Sequence, residues 1–319
     1  MKILKLKNLN IQNQKLMSKP IIACWGFFDG IHQGHQALFK QLLVNSTINN
    51  YQTCIISFDR KPQSVISNKN NEVLLSNEDK IKTIPKYNFD YYWEIKFSKE
   101  IATLSPEQFI SWLLANNVKA VVVNPNIRFG YQGQGNIKTL QQSSLQVYLC
   151  NDIIVNNNKV SSTYIKQLLQ NKDISSANLC LQQEPYTISG KVVHGIKEAR
   201  TINFPTANLL LLTNYALPGL ATYITLTEVD NKWYQSMTVI MLRNNKPLVE
   251  TYLLNFNQDL YGKIIKVRFL DFLRDNLKFT NLDDLKKQVD KDLIETIKYF
   301  ANSSSKLLKP LDGLHFIGH

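Results

Sequence analysis

The chain has 319 residues, 44% of them apolar and 19% charged, and this composition excludes a disordered or fibrous protein. Its length predicts two domains rather than one. The formal net charge of +12 favours a partner rich in phosphate, either a nucleotide or a nucleic acid. Basic residues form no block of about five or six and do not alternate with aromatic residues, which argues against nucleic acid as the partner.

The cysteine content and the apolar runs predict where the protein works. Cys24, Cys54, Cys150 and Cys180 form no CxxC pair, so we expect free, mostly buried thiols in a reducing compartment. The segment MKILKLKNLN lacks the continuous apolar stretch of a signal peptide. No apolar run approaches the roughly 20 residues that span a bilayer. We expect a soluble, cytoplasmic protein without a membrane partner, and no pattern indicates a particular oligomeric state.

The N-terminal half alternates short apolar strands with longer amphipathic helices. The predicted strands are Pro20–Trp25, Thr53–Phe58, Val118–Val123 and Gln146–Cys150. Helices are predicted at Gln36–Val44 and from Ser105 to Leu114, where Ser105 caps the helix and Pro106 takes its first position. This alternation predicts an α/β fold, with a parallel sheet covered by helices on both faces. Ligands of such sheets bind beyond the carboxyl ends of the strands.

The C-terminal half has a different pattern, with short strand-like segments separated by turn residues. The predicted strands are Tyr186–His194, Thr222–Thr227, Lys232–Leu242, Leu248–Asn255 and Ile264–Leu273. They predict an antiparallel barrel or sandwich, followed by a closing helix at Leu282–Phe300. We place the domain boundary near Leu179–Pro185, which gives domains at 1–182 and 183–302 and a loosely ordered tail at 303–319.

The segment Gly26–His35, GFFDGIHQGH, directly follows the first predicted strand. Gly26 and Gly30 permit a tight turn into a helix, whose free backbone N–H groups can bind an anion. His32 and His35 are spaced to lie on one helix face, and Gly34 leaves room for a phosphate or a base. An isolated HxxH pair is more often a metal site or simple surface, but this context favours nucleotide handling. The chemistry would be nucleotidyl transfer, with attack on the α-phosphorus of ATP, pyrophosphate as the leaving group and Mg²⁺ sharing the charge.

A second candidate site involves oxygen-bearing side chains in the C-terminal half. Thr206 and Asn208 lie two residues apart in FPTAN and would share one face of an extended strand. Their oxygens suit Mg²⁺ bound together with substrate phosphates, although a turn with local hydrogen bonds is an alternative. Glu250 lies in an apolar strand, either on an exposed face or as a general base for a hydroxyl that attacks the γ-phosphate.

Seven segments, in the same order, resemble the bacterial bifunctional riboflavin kinase / FMN adenylyltransferase family, often called FAD synthetase. The resemblance covers almost the whole chain, and its clearest parts are GFFDGIHQGHQ, the loop Arg128-Phe129-Gly130 and the intact FPTAN. The segments are Gly26–Gln36, Leu104–Gly135, Val160–Lys166, Gly190–Asn208, Glu250–Phe256, Asp259–Lys263 and Phe269–Arg274.

The resemblance implies a fold and an activity. It implies a Rossmann-like nucleotidyltransferase domain of the HxGH type, followed by a β-barrel riboflavin kinase domain with a closing helix. It implies that the protein converts riboflavin to FMN and FMN to FAD, with Mg²⁺ as cofactor and ATP as co-substrate in both steps. The implied ATP-binding residues are Gly26, Phe27, Asp29, Gly30, His32, Gly34, His35, Ser161, Ser162, Thr163, Lys166, Gly190, Lys191, His194 and Gly195. The implied flavin-binding residues are Phe58, Pro62, Asn126, Arg128 and Phe129. Thr206 and Asn208 would bind the metal, and Glu250, His32 and His35 would be catalytic.

Several residues depart from the family pattern. Lys61 stands at a usual His, and the SSTRIR signature has lost both arginines at Tyr164 and Lys166. Lysine carries the charge but lacks the bidentate geometry of arginine. The other departures are Asn124 at a usual Gly, Asn136 at a usual Asp, Ala199 and Asn203 at usual glycines, and Val239–Asn245 in place of the usual flavin segment.

These departures leave three alternatives to the bifunctional enzyme. One is a riboflavin kinase with impaired adenylyltransferase activity, and another is a non-catalytic paralogue that binds flavin or nucleotide. The third is an unrelated HxGH nucleotidyltransferase acting on a lipid or coenzyme precursor, against which the FPTAN-bearing second domain argues.

Overall fold

The structure is a computed structural model that describes residues 1–7, 9, 17–62, 72–194 and 204–303. The chain forms two compact units, Met1–Ser162 and Thr163–His319. All four cysteines are free and buried, as predicted. Within the described ranges, no helix combines the length and the apolar character needed to cross a membrane.

The first unit is built on a six-stranded sheet in which every neighbouring pair of strands is parallel. Its strands are β1 (Lys2–Leu6), β2 (Ile21–Gly26), β3 (Gln52–Phe58), β4 (Tyr91–Ile95), β5 (Val118–Val123) and β6 (Gln146–Leu149). Their spatial order is β1-β4-β3-β2-β5-β6. The sheet therefore grows in one direction from β2 to β3 and β4, and in the other through β5 and β6. Ligand crevices in parallel sheets lie beyond the carboxyl ends of the strands at such a reversal point.

Helices cover both faces of this sheet, which confirms the predicted layering. They are α1 (Gln33–Asn49), α2 (Asn77–Thr83), α3 (Lys99–Ala102), α4 (Pro106–Ala115) and α5 (Ile137–Gln141), with short 3-10 turns at Asp29–Ile31, Ile84–Tyr87 and Tyr131–Gly133. Phe39 of α1 packs on one face with Ile55 of β3. Phe109 of α4 packs on the other face with Ile56. A two-stranded hairpin, β7 (Ile154–Val155) and β8 (Asn158–Lys159), follows β6.

The predicted N-terminal elements lie within one or two residues of the observed bounds, except for α1. That helix begins three residues earlier and ends five residues later than predicted. Its polar C-terminal end is stabilised by side chains that donate to carbonyls of the preceding turn. Ser46 Oγ donates to the Leu43 carbonyl at 2.7 Å and Asn49 Nδ2 to the Asn45 carbonyl at 2.8 Å. Ser105 caps α4 as predicted, and Gln108 completes a capping box with it.

The second unit contains a closed antiparallel barrel, which resolves the predicted choice between barrel and sandwich. Helix α6 (Ser162–Gln170) begins at the last residue of the first unit, and α7 (Ile174–Leu181) follows it. The barrel strands are β9 (Thr187–Val193), β10 (Ala207–Leu211), β11 (Ala221–Val229), β12 (Lys232–Arg243), β13 (Lys246–Leu253) and β14 (Ile264–Asp275). They close in the order β10-β13-β12-β11-β14-β9. The closing helix α8 spans Leu282–Ser303.

Buried hydroxyl groups fill part of the barrel interior. The side chains of Thr225, Thr227, Ser236, Thr238 and Thr251 are fully buried and hydrogen-bonded to one another. The Thr238 hydroxyl donates to Thr251 at 3.0 Å and lies 2.9 Å from that of Thr225. Because every hydroxyl has a partner, the polar atoms carry no uncompensated desolvation cost. The network fixes β13, on which Thr251 follows Glu250.

The substitution Thr238→Val tests this network. It keeps the side-chain shape but removes one hydrogen bond from the Thr225 hydroxyl and one from the Thr251 hydroxyl, which together cost about 1–3 kcal/mol. We expect calorimetry of the full chain to show a lower melting temperature for the barrel transition. The exposed control Thr280→Val should melt like the wild type, and equal melting temperatures for the two variants would contradict the role of the network.

Candidate functional site

A strained turn joins β2 to α1. Phe28, Gly30 and Ile31 have φ angles of 54°, 81° and 44°, so two residues with bulky side chains adopt the left-handed region. Each such residue costs on the order of 1–3 kcal/mol. Packing compensates, because the Phe28 ring is buried against Phe39 at a centroid distance of 5.1 Å. Gly26 permits this packing, since a Cβ there would lie 3.3 Å from the Phe28 ring.

The carboxylate of Asp29 ties the turn to a later segment of the chain. Asp29 is buried, and its Oδ1 accepts hydrogen bonds from the backbone N–H groups of Leu74 at 2.6 Å and Leu75 at 3.3 Å. The Asp29 carbonyl accepts a bond of 3.0 Å from the Ser162 hydroxyl. The structure thus brings Ser162, a predicted ATP-binding residue, to the turn.

The two histidines stack on each other at the start of α1. Their ring centroids are 3.7 Å apart with an angle of 18° between the planes. The His32 carbonyl accepts from the backbone N–H groups of His35 at 2.8 Å and Gln36 at 3.0 Å. A Cβ on Gly34 would lie 3.2 Å from the His32 imidazole. Gly34 therefore makes room for the His32 ring, a role that the sequence did not reveal.

Both imidazoles are neutral at physiological pH. Burial lowers the pKa of His32 to about 4. Burial also lowers the pKa of His35, and electrostatic repulsion by protonated His32 and by Lys80 acts in the same direction. Among the described residues, neither buried Nδ1 atom has a hydrogen-bond partner. Buried polar atoms are normally paired, so these two nitrogens, at the positive N-terminal end of α1, fit a site for a polar ligand.

A buried lysine next to the turn was missed by the sequence reasoning. Lys80 of α2 is 2% exposed, and its Nζ donates to the carbonyls of Phe27 at 3.1 Å and Phe58 at 2.9 Å. The ammonium also lies 4.3 Å from the centroid of the Phe27 ring. Burial lowers the pKa of Lys80 to about 8, against the opposing effect of nearby carboxylates. No motif marks this residue, because the sequence pattern of a short capped helix predicts an exposed lysine.

The predicted flavin residues lie in different environments. The Phe58 ring meets Phe97 edge to face at 5.1 Å, and Pro62 is half-buried. Asn126 and Arg128 are exposed on the loop after β5. Phe129 is buried against the rings of Trp25, at 5.6 Å, and Phe109, at 5.9 Å. The ring of Phe129 therefore supports the loop from the core, and a flavin contact of this residue stays a prediction.

Two departures from the family pattern have a structural explanation. The Asn124 side chain donates to the Asp152 carboxylate, which also pairs with Lys159 at 2.8 Å. The bond from Lys159 is the main reason that the pKa of Asp152 is lowered. Asn136 caps α5 by accepting from the backbone N–H of Lys138 at 2.9 Å, a role that Asp fills equally well.

The remaining residues of the predicted ATP signature lie around the start of α6. Ser161 precedes the helix, and Thr163 and Lys166 follow Ser162 on its first turns. Contact of Ser161, Thr163 and Lys166 with a nucleotide stays a prediction.

The second candidate site lies on the barrel at strands β10 and β13. Asn208 and Glu250 are direct cross-strand partners, so their side chains lie on the same face. The Thr206 hydroxyl donates to Glu250 Oε2 at 3.4 Å. The structure thus brings together the three residues predicted for metal binding and proton transfer. Thr206 also lines a cavity of about 580 Å³, together with residues that include Val192, Phe256, Asp259 and Tyr261.

The predicted phosphate residues on β9 are only partly described. A Cβ on Gly190 would lie 2.8 Å from the Leu209 side chain, so this glycine permits close packing of β9 on β10. Lys191 is exposed, and the His194 ring packs against Tyr261 at a centroid distance of 3.8 Å. Gly195, Ala199 and Asn203 lie outside the described residues.

The segment Val239–Asn245, which stands in place of the usual flavin segment of the family, is part of a tight hairpin. Val239–Arg243 ends β12, and Asn244 and Asn245 form the turn to β13 with φ angles of 50° and 58°. Two left-handed central residues define a type I′ turn, which matches the twist of the flanking strands.

Comparison with known proteins identifies the family. Residues 14–164 match the family model of FAD synthetase, and residues 182–300 match that of riboflavin kinase. The chain belongs to the bifunctional riboflavin kinase/FMN adenylyltransferase family. It is 32% identical to a bifunctional riboflavin kinase/FMN adenylyltransferase of Bacillus subtilis, over 89% of this chain and 94% of that protein. It is 33% identical to one of Buchnera aphidicola, over 91% of this chain and 96% of that protein.

A solved structure supports the fold. A crystal structure from Streptococcus pneumoniae, titled a macrolide-efflux protein, has a TM-score of 0.84 and 25% sequence identity to this chain. The match covers 92% of this chain and 98% of the other. This likeness supports the fold, whereas the family is shown by the two family models, which agree with the motifs of this chain.

The buried His32 makes the first unit sensitive to acid. Its pKa is about 4 in the folded state, against 6.5 for an unperturbed histidine, so only the unfolded chain takes up this proton between those values. Stability from this group is full above pH 6.5 and is lost as the pH falls towards 4, by about 3 kcal/mol. In a Trp233→Phe background the three remaining tryptophans, Trp25, Trp93 and Trp112, all report on the first unit.

We expect urea unfolding followed by tryptophan fluorescence to show that His32→Gln loses less stability between pH 7 and pH 4.5 than the parent chain. Identical pH dependence in the two proteins would contradict the burial of an uncharged His32.

Proposed function

We propose that the N-terminal domain adenylylates FMN to FAD and that the C-terminal domain phosphorylates riboflavin to FMN, with ATP as the donor in both reactions. The observation that carries this assignment is the presence of two separate polar constellations. One is the stacked histidine pair at the strand-to-helix turn, and the other is the Thr206–Asn208–Glu250 cluster on the barrel. Both family matches support the two activities.

In the adenylyl transfer, a phosphate oxygen of FMN attacks the α-phosphorus of ATP, and pyrophosphate leaves. The reaction needs no enzyme nucleophile, so positioning and charge stabilisation dominate. His32 and His35 would donate hydrogen bonds to phosphate oxygens, beside the N–H groups at the start of α1. The other proposed ATP residues are Gly26, Phe27, Asp29, Gly30, Gly34, Ser161, Ser162, Thr163 and Lys166. Because the imidazoles are neutral when buried, a bound polyanion would favour their protonated form and raise their pKa values.

The proposed FMN site lies along the same edge of the sheet. Phe58 ends β3 and Pro62 follows it, and Asn126, Arg128 and Phe129 follow β5. Exposed Arg128 can bind the FMN phosphate through its fork of donors. The aromatic packing of Phe129 gives this loop a rigid support.

In the kinase reaction, the terminal ribityl hydroxyl of riboflavin attacks the γ-phosphorus of ATP, and ADP leaves. Glu250 would accept the hydroxyl proton. Thr206 and Asn208 offer a hydroxyl and an amide oxygen on the same face as Glu250, a donor set that fits Mg²⁺ held together with substrate phosphates. When bound, the metal ion would neutralise part of the negative charge of the substrate phosphates. Gly190, Lys191, His194 and Gly195 are proposed to border the ATP phosphates.

Two substitutions separate the activities. Glu250→Gln removes the proton acceptor but keeps the side-chain shape, so we expect FMN formation from riboflavin to fall at least about 100-fold. FMN adenylylation should remain near the wild-type rate. His32→Asn should have the converse effect. Chromatographic separation of riboflavin, FMN and FAD after incubation with Mg-ATP measures both steps, and equal loss of both activities in either variant would rule out separate sites.

Gly34→Ala tests how closely the His32 ring is positioned. Alanine suits a helix better than glycine, and this preference offsets part of the cost of moving the buried ring. Its Cβ would press on the imidazole at 3.2 Å, and the ring must shift. We expect the kcat/KM of FMN adenylylation to fall about tenfold or more, since small displacements of positioning groups have large effects on rate. An unchanged kcat/KM with an unchanged melting temperature would show that the ring position is unimportant.

A further inference from the structure

The buried ammonium of Lys80 has no place in the mechanism above. Lys80 extends from α2 to the carboxyl ends of β2 and β3, which are neighbouring parallel strands. Its two hydrogen bonds go to the carbonyls of Phe27 and Phe58, the first residue after β2 and the last residue of β3. Lys80 therefore cross-links the two strand ends from which the proposed ATP and FMN residues emerge.

Three carboxylates act on Lys80 from a distance, and none of those described contacts its ammonium directly. The carboxylates that act on it electrostatically are those of Glu94 on β4, Asp29 in the turn and Asp59 after β3. In the part of the chain that the structure describes, none of them forms an ion pair with Lys80. Each carboxylate has other partners, since Asp29 accepts from Leu74 and Leu75, Glu94 accepts from Asn77, and Asp59 accepts from Phe97 and pairs with Arg60.

A contribution to folding stability does not explain why a lysine is buried at this position. Burying an ammonium costs several kcal/mol, and an apolar side chain of similar length would fill the same space without that cost. The positive charge also acts on His35, where it contributes to the lowered pKa. Lys80 therefore lies close enough to the stacked histidines for its field to reach any anion bound beside them.

The hydrogen bond to Phe27 also orients the turn. Because the C=O and the following N–H of a trans peptide point in opposite directions, the Phe28 N–H is directed away from Lys80. The Phe27 carbonyl is correspondingly held on the side of the lysine. The Phe27 carbonyl oxygen is the negative end of this peptide dipole and would repel a phosphate. Its bond to Lys80 keeps it away from the opposite side of the turn, where we expect the phosphate to approach.

We propose that Lys80 is a positioning residue of the adenylyltransferase site, which holds the peptide between Phe27 and Phe28 and places a positive charge behind the phosphate-binding turn for the triphosphate of ATP. The inference rests on the proposed function of the N-terminal domain. Removing the charge of Lys80 should weaken ATP binding in FMN adenylylation and leave riboflavin phosphorylation unchanged.

The test compares Lys80→Met with Lys82→Met in the full chain. Lys82 is an exposed lysine on the same helix and is paired with Glu78, so it is the matched control for loss of charge. We expect Lys80→Met to raise the KM for ATP in FMN adenylylation about tenfold or more, with a smaller change in kcat. Riboflavin phosphorylation by the same preparation, and both activities of Lys82→Met, should match the wild type. A KM for ATP within about twofold of the wild type in Lys80→Met would overturn the inference.

The pH profile separates the charge of Lys80 from a purely structural role. With a pKa of about 8, Lys80 loses its charge as the pH rises from 7 to 9.5. The kcat/KM for ATP in adenylylation should fall in this range for the wild type, relative to the kinase reaction, and should be level for Lys80→Met. The neighbouring His32 and His35 titrate below this range, and burial moves the pKa values of Cys24 and Tyr92 above it.

If Lys80→Met does not fold, which calorimetry reveals, the wild-type profile decides alone, and a level profile up to pH 9.5 overturns the inference. A wild-type protein that makes no FAD contradicts the proposed function itself. A wild-type protein that makes FAD with unaltered KM in Lys80→Met contradicts only the role of Lys80.

Discussion

The left-handed backbone between β2 and α1 is the constraint on which the N-terminal site depends. Two bulky residues, Phe28 and Ile31, hold φ angles that cost free energy. Burial of the Phe28 ring and the hydrogen bonds to the Asp29 carboxylate stabilise this conformation. The turn delivers His32 to the first position before α1 with its ring stacked on His35. Without that bend the helix would start in another direction, and its N-terminal end would not lie beside the strand ends.

In the barrel, the register of neighbouring strands positions the polar side chains of the second candidate site. The pairing of Asn208 with Glu250 is set by the ladder between β10 and β13, and hydroxyl bonds inside the barrel tie β13 to β12 on its other side. A shift of one residue would move Glu250 to the interior and Thr251 to the outside. The two domains therefore position their polar groups in different ways, one through a strained turn and the other through strand register, at the places where we propose that substrate phosphates bind.

Much of this architecture could be predicted from the sequence. Apolar runs bounded by turn residues located β2, β3, β5 and β6, and the spacing of turn signals distinguished the second unit. The motifs located His32, His35, Thr206, Asn208 and Glu250, which the structure groups into two clusters. Strand β1 was missed because its residues alternate with lysines, and helix α2 because it is only seven residues long.

Tertiary contacts determined what the sequence could not show. Lys80 has the local pattern of a surface lysine, and only the packing of α2 against two strand ends buries it. Gly34 was interpreted as space for a phosphate or a base, and Gly190 as an ATP-binding residue, whereas their nearest neighbours are the His32 ring and the Leu209 side chain. Asn136 departs from the family pattern in identity but preserves the cap of α5. A pattern identifies which residues matter, and the neighbours across the fold decide what each of them does.

The central claim is that two chemically distinct transfers occur at two sites of one chain. The most direct test gives the wild-type protein riboflavin, Mg²⁺ and ATP labelled on either the α- or the γ-phosphate, and follows each label into separated flavins. The account predicts the γ label in FMN and FAD, the α label in FAD alone, and one pyrophosphate released for each FAD. Absence of the α label from every flavin, with FMN formed normally, would contradict the assignment of the N-terminal domain.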